Sequence, residues 1–309
     1  MDDNLKRIHA PLSSFHPLLF VALVLLVIFF LYQIVSAVLV ISFVGVELNY
    51  DKENIDTIRI ITMFAQFMFL LIPSVILTML RGDTMKNGFR LNYPPGKILF
   101  ISIAGILMLQ PIMQAYLVIQ NKILFSLPFG TEYIKMLKEF FDTLEQSTLN
   151  LVSSDNIPEL ILVVLVIAVT PAICEEGLFR GLVLKNMLLF STPARAVATT
   201  GIIFAMFHFH PFNLLPLILV GIFLTYITYV SNSIFPAVIC HFINNLLAVL
   251  SVFFYGKENF NDFNIPLNET LALSGIGVIC AVCLYFLMKI LSREHQMRNT
   301  NLPENMNVQ

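Results

Sequence analysis

From Ala196 to Gly256 the chain runs for 61 residues without a single Asp, Glu, Lys or Arg. A bilayer core takes about 20 apolar residues of helix, so this run is too long for one or two helices. Polar breaks at His208–Asn213 and Ser231–Ser233 divide it into three. A soluble surface of that length needs charge, and none is present. The rest of the chain agrees. Hydrophobic residues make up 57% and charged residues 12%, against about 25% charged in soluble domains. Mean hydropathy is +0.82. A net charge of −2 with no basic block excludes a nucleic-acid partner. There are 28 Phe and no Trp, which leaves Tyr and Phe for the membrane interfaces.

Further apolar stretches span Leu18–Val46, Ile58–Leu80, Ile98–Ile119, Pro158 into the 170s, and Leu271–Met288. The first is far longer than the core of a cleavable signal peptide. The expectation is an all-α, polytopic transmembrane helical bundle of about eight helices. It forms a single membrane domain over 1–309, with a polar, disordered tail at 293–309. With the N-terminus inside, 11 Lys and Arg fall in inner loops and 6 in outer ones, Arg180 lying within a helix. The positive-inside rule then places both termini in the cytoplasm. Length and motif style fit a prokaryotic plasma membrane. Between the third and fourth spans, Tyr133, Ile134, Leu137, Phe140, Phe141 and Leu144 recur at helical spacing against a charged face. Glu132–Leu149 therefore reads as an amphipathic helix, either lying in the interface or packed on the bundle. Cys174, Cys240, Cys280 and Cys283 all sit in apolar segments. They read as small buried hydrophobes, with no disulfide framework.

Charge inside a bilayer is expensive and marks function by default. Glu175 and Glu176 follow a 15-residue charge-free run that begins at Leu160, and apolar residues resume at Leu178. On a helix Glu176 and Arg180 are i, i+4 neighbours and pair. Glu175 points about 100° away and is left without a partner. The blander reading is that all three mark a helix end. Phe204-Ala-Met-Phe-His208 closes the next apolar helix, with His210 a rival to His208. Cys240-His-Phe-Ile-Asn-Asn245 follows Pro236 and puts His241 and Asn245 on one helix face, with Asn244 a rival. Polar residues also cement contacts between membrane helices, the plainer account of that pair. A turn at Ser191–Pro193 makes the neighbouring helices antiparallel, which brings Glu175 and His208 to similar depth at ~1.5 Å per residue.

Glu175-Glu-x-x-x-Arg180, Phe204-x-x-x-His208 and His241-x-x-x-Asn245, in this order on successive hydrophobic segments, resemble the CPBP family of intramembrane proteases. This family, also called CAAX-protease or ABI, includes the eukaryotic prenyl-CAAX endopeptidase. The resemblance covers residues 158–255 as a catalytic core and leaves the first 150 unassigned. It implies hydrolysis of a peptide bond in a membrane-associated, lipidated substrate, with removal of the last three residues after a prenylated cysteine in CAAX-processing members. Carried over by motif, Glu175 activates water with His208, and His241 and Asn245 stabilise the oxyanion. Glu176 and Arg180 support them. Amide hydrolysis needs such a base and such donors.

Three other readings use the same residues. In one, Glu175, His208 and His241 hold zinc, with water in the fourth position. No compact His-Glu-x-x-His helix is present, and the metal-free mechanism is favoured. The second is an ion-coupled transporter with a Glu/His relay, for which no inverted repeat is visible. The third is a non-catalytic immunity protein of the same fold.

Overall fold

The computed structural model describes residues 10–45, 52–126, 131–257 and 265–300. Among them the chain is predominantly helical, without a strand. Seven helices are long and apolar enough to cross a membrane. They are α1 (Pro17–Val44), α2 (Asn54–Leu80), α3 (Gly96–Leu124), α5 (Ile157–Met187), α7 (Pro211–Ser231), α8 (Phe235–Tyr255) and α9 (Leu267–Arg298). A shorter apolar helix, α6 (Pro193–Met206), completes the expected eight. The amphipathic segment forms α4 (Thr131–Val152).

Leu26, Phe43, Phe100, Phe254 and Val278 are exposed, as lipid-facing residues should be, while the interior divides into three apolar clusters. One joins α1, α5 and α6 around Ile28, Leu178, Phe179 and Phe204. A second joins α3, α7, α8 and α9 around Ile106, Leu224, Cys240 and Leu291. The third joins α4, α5 and α8 through Leu149, Val163 and Val249. Helix α4 is thus packed on the bundle at one end. Its C-terminal end is docked on the bundle, and Tyr133, Met136, Leu137 and Phe140 near its start face outward.

Helices α6 and α7 approach backbone to backbone. A Cβ on Gly201 would lie 2.5 Å from the Ile222 nitrogen, and one on Gly221 would lie 2.5 Å from the Gly201 carbonyl oxygen. Only hydrogen fits at that crossing, the usual device for close helix contact in membranes.

Several helices carry widened turns with i→i−5 hydrogen bonding, at Phe30–Val35, Phe67–Leu71, Val164–Val169 and Gly177–Val183. Two of these end just before a proline, Pro73 and Pro171. Proline has no N–H to return to the carbonyl four residues back, and the ladder loosens there. Such widened turns concentrate at functional sites, and the last two flank Glu175.

One expectation is corrected. The polar segment from Arg293 is not disordered throughout, because the last helix continues to Thr300. His295 Nδ1 donates to the Val230 carbonyl, Arg298 bonds the Ser231 carbonyl, and Glu294 pairs with Lys97. These polar side chains have partners on the α7 turn and at the start of α3, which holds the extension in helix. The remaining tail, 301–309, lies outside the described residues, as do Lys6 and Arg7 from the orientation argument and Val46 at the end of the first predicted span.

Candidate active site

Glu176 and Arg180 form the predicted i, i+4 pair, Oε1 to Nη1 at 2.6 Å, with both side chains fully buried. The same Glu176 oxygen also lies 2.7 Å from His241 Nδ1. This second bond joins α5 to α8 and was not expected from the sequence. A carboxylate only accepts, so Nδ1 carries the proton and the imidazole is held with Nε2 turned away from Glu176. Arg180 reaches further: Nη2 donates to the Gly221 carbonyl at 3.0 Å, and the guanidinium stacks on Phe204 at 4.5 Å. Arg180, Glu176 and His241 thus tie α5, α7 and α8 together.

Phe204 is the hub of this arrangement. Its ring meets His208 at 4.8 Å and His241 at 5.8 Å between centroids. Helix α6 ends at Met206, so His208 lies in the turn that follows rather than closing the helix. His208 Nδ1 sits 3.0 Å from the Phe204 carbonyl. A carbonyl also only accepts, so in the neutral ring Nε2 keeps its lone pair, the form a general base needs. His208 is exposed and lines a cavity of about 1120 Å³. Its rival His210 has Nδ1 accepting from the Asn213 backbone N–H at 3.2 Å and packs against Phe141 and Phe212. That is the role of a turn-stabilising residue.

Glu175 stands apart. It is half-buried, its Oε2 is sealed from solvent, and that atom has no hydrogen-bond partner among the described residues. Among the described residues it hydrogen-bonds neither histidine. An unsatisfied buried carboxylate oxygen is costly and calls for a water, proton or ligand.

Asn245 projects from α8 one turn beyond His241. Its Nδ2 donates to the Ile167 carbonyl at 3.1 Å. Pro171 stands four residues after Ile167 and has no N–H to give that carbonyl, to which the Asn245 amide donates. Asn245 Oδ1 accepts from Asn244 Nδ2 at 3.1 Å. One Asn245 N–H remains uncommitted among the described residues.

The structure therefore gathers Glu176, Arg180 and His241 directly and places His208 beside them across Phe204. Asn245 is anchored to the segment leading into Glu175. Glu175, His208 and His241 do not form a ligand set, and among the described residues no three His, Cys, Asp or Glu side chains are grouped closely enough to hold a metal ion. Outside the spans, Arg90 supports the far end of α5 by donating to the Arg180 carbonyl at 3.1 Å. Burial lowers its pKa to about 10, with Asp83 acting the other way.

Two contributors escaped sequence reading. Gln110 of α3 donates to Asn244 Oδ1 at 3.0 Å. A carboxamide within an apolar span was the available signal. Pro171 was the other, since it announces an unpartnered carbonyl at Ile167.

No curated protein and no solved structure matches the chain. Residues 157–247 match the family described as type II CAAX prenyl endopeptidase Rce1-like. That segment holds Glu175, Glu176, Arg180, Phe204, His208, His241 and Asn245. Over residues 157–247 the chain is thus similar to the Rce1-like family of CAAX prenyl endopeptidases, and every residue of the three motifs falls inside that stretch.

Proposed function

We propose that this multi-pass membrane protein is an intramembrane endopeptidase of CAAX-protease type. The observation that carries the reading is Glu175 Oε2, buried and without a partner beside a buried Arg180–Glu176–His241 network. Glu176 Oε2 is also buried and unpartnered, but its Oε1 holds both Arg180 and His241, whereas Glu175 has no such pair among the described residues.

In the proposed reaction the Glu175 carboxylate, assisted by His208 Nε2, takes a proton from water. The resulting hydroxide adds to the scissile carbonyl carbon. The oxyanion receives hydrogen bonds from the uncommitted Asn245 N–H and from His241 Nε2. The latter requires a proton on Nε2 as well as the Nδ1 proton that faces Glu176. The proton held by Glu175 passes to the amide nitrogen, the C–N bond breaks, and the new carboxylic acid gives its proton to the amine, so that a carboxylate and an ammonium leave. Hydrogen bonds between catalytic groups are often long in unliganded enzymes and tighten on substrate binding, which accounts for the separation of Glu175 from the histidines. No metal takes part in this scheme.

The substrate class we infer is a membrane-anchored peptide, prenylated as the family description implies. Lys and Arg distribution supports cytoplasmic termini, and a prokaryotic plasma membrane is the proposed location. The test is cleavage by purified protein in detergent of prenylated and unprenylated membrane-anchored peptides, with products identified by mass spectrometry. A single cut that leaves a new amine terminus is expected. Failure to cut any of them would overturn the reading.

A further inference from the structure

Three carboxamides form a directed chain from the wall of the large cavity to the catalytic segment. Gln110 Nε2 donates to the Ile106 carbonyl at 3.3 Å and to Asn244 Oδ1 at 3.0 Å. Asn244 Nδ2 donates to Asn245 Oδ1 at 3.1 Å, and Asn245 Nδ2 to the Ile167 carbonyl at 3.1 Å. Both ends of the chain are backbone carbonyls, which can only accept. The direction of every amide follows: nitrogen must face carbonyl at each end, so no member can flip without stranding a neighbour.

What remains unused is then known atom by atom. Gln110 keeps its Oε1 acceptor, and Asn244 keeps one N–H donor; neither makes another bond among the described residues. Gln110 and Asn244 both line the cavity that His208 lines, and its described lining contains no Asp, Glu, Lys or Arg. Recognition there must run through dipoles. An acceptor and a donor on neighbouring amides match the N–H and C=O of an extended peptide main chain, the pairing by which strands add to a sheet edge.

We propose that Gln110 and Asn244 form a main-chain binding subsite beside the scissile bond. Gln110 Oε1 accepts a substrate N–H and Asn244 Nδ2 donates to a substrate carbonyl. The subsite reads the presence of a peptide backbone and not the identity of its side chains. Its occupation also loads the carboxamide chain that orients Asn245. This proposal rests on the peptidase reading above and adds the groups that hold the peptide.

The test uses a fluorophore-labelled peptide with a farnesylated cysteine followed by three aliphatic residues. A series of its analogues replaces one backbone amide at a time by an ester, which removes a single N–H and little else. Binding is measured to full-length protein carrying Glu175→Gln, so that the probe is not consumed, and cleavage is measured with Glu175 intact. At one position the ester should weaken binding about tenfold, the effect of one lost hydrogen bond. In protein also carrying Gln110→Met the amide and that ester should bind within about twofold of each other, the mark of a direct pair. Asn244→Ala should weaken every peptide alike.

Uniform insensitivity to the ester series overturns the subsite without any further variant, so a misfolded Gln110→Met protein does not rescue it. Sensitivity that survives Gln110→Met assigns the contact elsewhere and also overturns it, as does failure of every probe to bind. Coupling to Gln110 without cleavage would leave the subsite standing and overturn the peptidase reading. Cleavage without coupling would do the reverse.

Discussion

Glu176 and His241 stand 65 residues apart in sequence and 2.7 Å apart in space, carboxylate Oε1 to imidazole Nδ1. Because Arg180 shares that oxygen at 2.6 Å, Glu176 cannot be altered without disturbing two partners at once. Glu176→Gln should leave a buried guanidinium uncompensated, at a cost of about 3–5 kcal/mol, and should also release the imidazole. We expect low yield and a lowered Tm. Exchanging the charges, Glu176→Arg with Arg180→Glu, should restore little, since an arginine at 176 would face the His241 Nδ1–H. Recovery of near-normal Tm by the exchange would show that the His241 contact contributes nothing.

Asn245 has two tasks, and its variants should separate them. Asn245→Ala removes an oxyanion donor, for which a fall in kcat of about 10²–10³ is expected. It also strands the Ile167 carbonyl, at about 1–3 kcal/mol of stability. Asn245→Asp should be less stable than Asn245→Ala, because it sets a carboxylate against that carbonyl. Thermal unfolding and kcat measured on both variants check this. Equal stability of the two would remove the carbonyl contact from the account.

Much of this site was legible in the sequence, and what was missed is specific. The i, i+4 geometry gave the Glu176–Arg180 pair and isolated Glu175 from it, because both follow from helical arithmetic alone. The charge-free run from Ala196 to Gly256 gave three helices for the same reason. The bond from Glu176 to His241 is tertiary, and helix spacing says nothing about which face of α5 meets α8. Helical arithmetic brought Glu175 level with His208, yet the structure sets Phe204 against His208 and gives Glu175 no hydrogen bond to either histidine among the described residues. The widened turns on either side of Glu175 rotate the faces that an ideal helix would present. The polar residues after Arg293 were mistaken for a disordered tail because their partners, Val230 and Ser231, lie on a distant turn.

Metal dependence yields to a direct measurement. In the proposed mechanism Glu175 carries the water, so prolonged chelation should leave most of the wild-type activity in place. Stoichiometric zinc in active protein, with activity lost on chelation and regained on adding metal, would contradict that mechanism. Metal content should then fall on replacing a ligand, since zinc sites lose affinity with each one removed.

Orientation can be read by cysteine labelling in a background with the four native cysteines replaced. Asn87→Cys, on the exposed loop after α2, should resist an impermeant reagent applied from outside. Tyr133→Cys, exposed near the start of α4, should react. Reversed reactivity would invert the topology inferred from Lys and Arg.

The central claim is that Glu175 is the base of a peptidase. The decisive comparison is turnover of one membrane-anchored peptide by wild-type protein and by Glu175→Gln, with thermal unfolding measured on both. Gln keeps the size of the side chain and removes its basicity. Oε2 has no partner to lose, so stability should be nearly unchanged while cleavage falls to background. A folded Glu175→Gln protein that cleaves at a rate close to wild type would contradict the account.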